Sequence, residues 1–429
     1  MSDDTQQPLL RVIVERLQPG DIVLTATLGK VGKVVRRATK GEVSHAMICV
    51  QYGATIDSTD AGVQASNIQR ELYGAEDTVI VLRLREPPDQ LALQAIVEFA
   101  RSEIGTRYSQ IEAARTVTGG PKPRSKQMFC SRLVARAYAA AGVQLVPDPD
   151  YCSPDDLRVS SLLVEVPDML EIVGESELEA WAARANPIVA THDAQNAILA
   201  AARALDPSIE NFNDLDAFVQ AHPEHDDVIA RAYRDTGYLD IWRNDFAVNP
   251  WHYDLAEMEA AMNDRTVVEI RGYCIATIRE YHTGGLRFAV NLAHYERAMQ
   301  ANPRRTTAQL VQLYRQLVQN DHMRRTVALE WLRRRYPPDA KTELQRIVPH
   351  TEWWFSIIDR VEPRLGVIAR MNIKAAGSAA GCSSCGDTAD DFLIVNGAEA
   401  MPGVPSLRLC PDCVAIRSGY GEIFAPIDD

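Results

Sequence analysis

The sequence predicts an α+β chain made of unlike pieces, and three observations carry that expectation. Strand-type runs precede helical ones in the first 170 or so residues, and strand signals become scarce between about residues 175 and 337. Short β-type runs return near the C-terminus, set between two Cys-x-x-Cys pairs. The residue distribution agrees: all six Trp fall at or after Trp181, and four of the eight Cys lie in the last 48 residues. Three domains are therefore expected, at 1–174, 175–345 and 346–429.

In the first piece, Gly20-Asp-Ile-Val-Leu-Thr opens a strand after a polar lead. A basic, helical stretch with Lys30, Lys33, Arg36, Arg37 and Lys40 follows. Further strands are expected at Ala46–Val50, Thr55–Asp57 and Thr78–Leu84, separated by Gly, Asp and Ser turn residues, until Pro87 and Pro88 stop the series. From Gln90 the period becomes helical, with Leu93, Ile96, Val97, Ala100 and Ile104 on one face and Gly105 at the C-cap place. A Gly/Pro/basic loop from Gly119 to Lys126 leads to a second helix, from Cys130 to about Ala141, closed by Gly142. The middle piece is expected to be helical, for example at Ala194–Leu205, Leu255–Met262 and Thr307–Leu317.

Composition excludes some function classes. With 45 Lys+Arg against 58 Asp+Glu the formal charge is −13, so no nucleic acid is expected as partner. No run is long and apolar enough for a transmembrane segment. The acidic, polar start, Met1-Ser-Asp-Asp-Thr-Gln-Gln-Pro, is unlike a signal peptide. Eight Cys without a leader read as thiols and metal ligands, which points to a cytoplasmic protein. Export by a specialised secretion route stays compatible, because such routes need no N-terminal signal.

A cysteine hydrolase needs a thiolate, an imidazole to move the proton and a polar group that fixes the imidazole tautomer. Cys130 lies at the start of a helix, where unpaired N–H groups and the helix dipole favour a thiolate and can hold an oxyanion. His45 begins one strand and Asp57 lies on the next, so antiparallel pairing can bring them together. Taken singly, a helical Cys is more often a small buried hydrophobe and a strand His more often structural. Cys49 stands four strand residues from His45 and reads as core. Cys152, in a turn-rich loop, and Cys274, in the helical region, read as structural thiols.

The run Phe129-Cys-Ser-Arg-Leu-Val-Ala-Arg-Ala-Tyr-Ala-Ala-Ala-Gly-Val resembles the nucleophile helix of the NlpC-type papain-like cysteine hydrolases. Ile104-Gly-Thr-Arg-Tyr-Ser is similar to that family's Gly-x-x-Tyr segment. Gly20-Asp-Ile-Val-Leu, Ser44-His-Ala-Met-Ile, Ile56-Asp-Ser-Thr-Asp-Ala-Gly-Val and Tyr151-Cys-Ser-Pro-Asp-Asp-Leu complete the set. With His before Cys, the order resembles the circularly permuted branch, the YaeF/YiiX-like permuted papain amidases, over about residues 18–168. The resemblance implies a permuted papain-like domain with an antiparallel sheet. It makes Cys130 the nucleophile, His45 the general base and acid, Asp57 the orienting residue and Tyr108 a hydroxyl near the oxyanion. The family often has Glu where Asp57 stands, and Asp60 is the alternative.

The resemblance thus implies a thiol-dependent hydrolase, an amidase or peptidase, acting on an amide or ester substrate such as cell wall or lipid. Lipid-acting relatives resembling lecithin:retinol acyltransferase usually carry Asn-Cys-Glu-His at the nucleophile, and Phe129-Cys-Ser-Arg departs from it, which favours an amide. Two alternatives stand beside this reading: a lipid deacylase or acyltransferase of the same fold, and an inactive protein docking a partner through its helical and zinc modules. The basic stretch before His45 could attract an anionic substrate; solvated surface is the plainer reading.

Cys382-Ser-Ser-Cys385 and Cys410-Pro-Asp-Cys413, with 24 residues between the pairs, are spaced as two knuckles for one tetrahedral, structural Zn²⁺. Four thiolates leave no open position for catalysis. Phe392-Leu-Ile-Val and Leu407-Arg-Leu suit a zinc-ribbon-like module, which reads as a folding staple or protein-docking element. His252, His282 and the pair His222/His225 lack a second ligand set, and Trp353-Trp354 reads as a core or interdomain anchor.

Overall fold

The computed structural model describes residues 8–26, 42–109, 112–113, 125–182 and 186–427. The basic stretch from Lys30 to Lys40 and most of the Gly119–Lys126 loop lie outside them. The chain forms two compact units, Met1–Ile241 and Trp242–Asp429, and the helices of the middle region are shared between them.

The first unit is built on a six-stranded antiparallel sheet. Its strands are β2 (Ile22–Ala26), β3 (His45–Gln51), β4 (Ala54–Thr59), β5 (Gly62–Asn67), β6 (Thr78–Leu84) and β7 (Leu163–Glu165), in the order β5-β4-β3-β2-β6-β7. The short strands β1 (Leu10–Val12) and β8 (Leu170–Ile172) pair with each other. Both sheet faces are covered, so the central strands are apolar throughout and their two parities enter different cores. Ile22, Leu24, Ala46, Ile48, Leu82 and Leu84 pack under helices α1 (Gln90–Ser102) and α2 (Cys130–Ala140). Val23, Met47, Cys49 and Val81 face Val12, Leu17, Ile68 and Tyr73 on the other side. Each fully buried Ile or Leu contributes about 1.5–3 kcal/mol, and this double core gives the sheet its rigidity.

Pro87 and Pro88 do not end the sheet, because β7 adds to β6 from beyond α2 with Leu163 opposite Leu84. Gly105 is not the cap of α1, which ends at Ser102 with Glu103 at the cap. Its φ of +95° instead goes with a close approach, where a Cβ would overlap the Leu199 side chain. Leu199 belongs to α5 (Pro187–Leu205), which follows α3 (Pro154–Arg158) and α4 (Glu175–Ala182) and packs against β5. Helices α6 (Phe212–Ala221) and α7 (Asp226–Asp235) close this unit.

The second unit is helical around a 31-residue helix. In chain order it contains α8 (Arg243–Val248), α9 (Leu255–Ala260), α10 (Val267–Arg279), α11 (Leu286–Ala301), the long α12 (Arg305–Arg335), α13 (Pro337–Arg346), α14 (Glu352–Val361) and α15 (Pro363–Ala376). A three-stranded sheet follows, with β9 (Asp390–Ile394) between β10 (Ser406–Leu409) and β11 (Phe424–Pro426). The short helix α16 (Gly397–Ala400) lies in the β9–β10 connection, and α17 (Pro411–Gly419) follows β10. Trp354 is fully buried and its Nε1–H donates to the Ser406 carbonyl at 2.8 Å, which locks α14 onto β10. The Trp pair is thus core within this unit. Among the described residues no helix is long and apolar enough to cross a membrane.

Candidate active site and cysteine cluster

Cys130 is the first residue of α2 and is 7 % exposed. Phe129 occupies the N-cap and supplies no side-chain cap, so the first-turn N–H groups that a polar cap would occupy are left for another acceptor. His45 is the first residue of β3, and Asp57 lies on the adjacent antiparallel β4. The His45 Nε2 and Asp57 Oδ2 atoms are 2.7 Å apart. With Nε2 engaged, Nδ1 is the ring nitrogen left for Cys130. The His45 side chain keeps 27 % of its surface exposed, enough for a reacting group to meet it.

Burial opposes charge on the imidazole. Hydrogen bonds to Asp57 and Cys130, with their charges, outweigh it and raise the His45 pKa to about 10. The site is therefore arranged to hold an imidazolium beside a sulfur at a helix N-terminus. Tyr108 makes an isolated parallel bridge to Met128, two residues before Cys130. Burial, then the electrostatic proximity of Cys130 and Asp60, push its phenol up, so it remains a neutral O–H donor. Asp60 lies beyond the end of β4 and is exposed; the carboxylate on His45 is that of Asp57.

The segments that carry these groups are tied together through the backbone. Met128 N–H donates to the Arg107 carbonyl at 2.9 Å, and Ser109 N–H to the Met128 carbonyl at 3.1 Å. Ser58 Oγ on β4 donates to the same Met128 carbonyl at 3.1 Å, which links the strand of Asp57 to the approach to Cys130. Gly62, at φ +94°, is required where a Cβ would meet the Thr106 carbonyl at 2.7 Å.

Two groups near the site carry no sequence signal. Glu71 is pushed up by burial and by the charge of Asp57, partly offset by His45, so a second carboxyl stands close to the pair. Arg132, in the first turn of α2, is fully buried; it pairs with Glu112 and donates at 2.8 Å to the carbonyls of Gln127 and Asp150. It also lies over the rings of Phe129 and Tyr151. The Tyr151 to Leu157 motif thus supplies packing for the nucleophile helix, and its Ser153–Asp156 capping box starts α3. Replacing Arg132 by Met leaves Glu112 charged and buried, with an expected loss of about 3–5 kcal/mol. Thermal unfolding measures this, and a Glu112→Leu/Arg132→Met double variant is expected to recover much of it.

The remaining single cysteines sit in cores. Cys49 is fully buried. Burial pushes the Cys152 thiol up to about 12, and it pushes Cys274 up as well. His252 stacks on Tyr273, His225 stacks on Phe218, and His222 lies tilted against the same Phe218 ring. His282 Nδ1 accepts from Trp353 Nε1 at 3.4 Å.

In the second unit, the sulfurs of Cys382, Cys385, Cys410 and Cys413 all lie within 4.8 Å of one another, and all four cysteines are free. Tetrahedral Zn–S arms of about 2.3 Å put ligand sulfurs about 3.8 Å apart, so the donor set fits such an ion. Gly386, at φ +90°, closes the first knuckle, and Ser384 N–H donates to Cys382 Sγ at 3.4 Å. Burial pushes the Cys382 thiol up, but backbone N–H groups outweigh it and bring it down to about 7. The second pair does not sit on a β-turn as in a symmetric ribbon, because Cys410 is the N-cap of α17 and Cys413 lies in its first turn. Ser383 N–H donates to the Arg408 carbonyl at 2.8 Å and so ties the first pair to the strand that leads to the second.

Residues 16–155 match the family described as permuted papain-like amidase enzyme, YaeF/YiiX, C92 family. The chain is also 25 % identical over 187 residues to the "Probable lipoprotein peptidase YaeF" of Escherichia coli (strain K12), covering 36 % of this chain and 68 % of that protein. Cys130, His45, Asp57 and Tyr108 all fall inside the segment that matches the permuted papain-like amidase family.

Proposed function

We propose that the chain is a thiol-dependent amidase or peptidase working through an acyl-enzyme on Cys130. The observation that carries the reading is the His45–Asp57 pair at 2.7 Å, interacting with a cysteine at an uncapped helix start inside the amidase segment. Cys130 Sγ attacks the carbonyl carbon as the thiolate, and the first-turn N–H groups of α2 with the Tyr108 hydroxyl receive the oxyanion. His45 gives its proton to the leaving amine. It then takes a proton from water, which attacks the thioester and releases the acid. Asp57 accepts the Nε2–H, fixes the tautomer and stabilises the imidazolium. A peptide-type amide is the favoured substrate class, as the family description and the name of the Escherichia coli relative suggest. Product mass spectrometry on matched peptide amides and acyl esters tests this: amide cleavage supports it, and ester cleavage alone overturns it.

The acid that protonates the leaving group sets the basic limb of the pH profile. With His45 raised to about 10, kcat/KM is expected to hold until near pH 10. Asp57→Asn removes an anion that favours the imidazolium, so the basic limb is expected to move down by on the order of one pH unit or more. A limb unmoved in that variant would remove Asp57 from the proposed role.

The cysteine cluster supports a structural zinc site, which would join the turn after α15 to the start of α17 and take no part in the chemistry. Free thiols throughout the chain suit synthesis and folding in a reducing, cytoplasmic setting.

A further inference from the structure

The second unit carries a partly open cavity of about 390 Å³ that the proposed chemistry does not use. Its size falls within the range of about 300–1,000 Å³ typical of small-molecule sites. The wall is mainly apolar, with Ile278, Leu329, Ile347, Trp353, Leu393 and Pro405 among its lining residues. Besides Tyr281, whose hydroxyl donates to the Gly403 carbonyl at 3.1 Å, four ionisable side chains line it, and three of these are already engaged. Arg325 Nε donates to Asp321 Oδ2 at 2.9 Å, and its guanidinium lies over the Tyr281 ring. Glu330 accepts from Arg334 Nε at 2.9 Å. His322 Nε2 meets the Val395 carbonyl at 2.8 Å. The fourth is Arg333, a half-buried residue on the wall whose guanidinium makes no ion pair or side-chain hydrogen bond among the described residues; its Nη2 is closed off in the protein without a partner.

An unpaired guanidinium on the wall of an apolar cavity is matched by a ligand with one anionic head and an apolar body. A dianion fits less well, since Asp321 already engages Arg325 and no second uncommitted cation lines the wall among the described residues. We propose that this cavity binds a small aliphatic monocarboxylate, with the chain against Ile278, Leu329 and Trp353 and the carboxylate on Arg333.

Calorimetric titration of the full chain with decanoate and with decan-1-ol tests this. Decanoate is expected to bind at least about tenfold more tightly than the alcohol. Arg333→Gln is expected to remove that difference while leaving the melting temperature unchanged, and Leu329→Trp, which fills the cavity, is expected to abolish both titrations. No heat with millimolar decanoate and a folded wild type would overturn the proposal. So would equal binding of acid and alcohol, or decanoate binding that survives Arg333→Gln undiminished. The Arg333→Gln comparison is decisive by itself should Leu329→Trp fail to fold. Cys130 is untouched in every arm, so failure here leaves the amidase reading standing.

Discussion

Replacing Cys130 by Ala is expected to lower kcat on any responsive amide by on the order of 10⁴-fold or more, with little change in melting temperature. The loss is large because Sγ is the atom that forms the acyl bond, and the oxyanion donors alone supply only a residual acceleration. Stability changes little because Ala keeps the helix and removes one sulfur from the edge of the core under α1 and α2. His45→Ala is expected to cost a similar factor, and the double variant little more than either single one, since thiolate and imidazolium act as a unit. Steady-state kinetics on the three variants measures this. Additive losses would show that the two residues do not share one step.

The second large effect is expected at the cysteine cluster. Elemental analysis should find one zinc per chain, and chelation should lower the melting temperature of the second unit by more than about 10 °C. The size follows from the site's place in the fold. Cys382 and Cys410 lie in the same core as Trp354, Ile358 and Leu407, so losing the ion leaves crowded thiolates against apolar side chains. Metal binding at structural zinc sites contributes on the order of 10 kcal/mol or more, and a few kcal/mol already shift the midpoint of a domain this size by about ten degrees. Cys385→Ser is expected to reproduce the effect without chelator. Catalysis at Cys130 should persist wherever the first unit stays folded, which separates a staple from a catalytic ion. A full complement of activity, stability and no bound metal would contradict the assignment.

How much of this could be read from the residues depended on whether the signal was local. Strand β6 was legible to the residue, because Thr78–Leu84 is apolar and β-branched and ends near Pro87. The start of α2 at Cys130 was legible from its period, and the cysteine pairs from their spacing. Strand β5 was not: Gly62-Val-Gln-Ala-Ser-Asn is an edge strand whose polar residues show little alternation. Strand β7, only three residues long, joins the sheet across a separation of about 80 residues, and short strands of that kind carry no periodic signal. In the site, His45, Asp57, Cys130 and Tyr108 were named from motifs and order. Glu71 and Arg132 were not, since their significance lies in burial and in partners distant in sequence. Gly105 shows the reverse case: its conformation was anticipated, yet its cause is the approach of Leu199 rather than a helix cap.

The central claim is that Cys130, activated by His45, forms the covalent intermediate. Intact-protein and peptide-mapping mass spectrometry after reaction with a peptide-like, thiol-directed electrophile under reducing, non-denaturing conditions tests it most directly. A single adduct is expected on the peptide carrying Cys130, formed ahead of the other seven cysteines and lost in His45→Ala. A folded wild type that leaves Cys130 unlabelled, or an adduct whose rate is unchanged in His45→Ala, would contradict it.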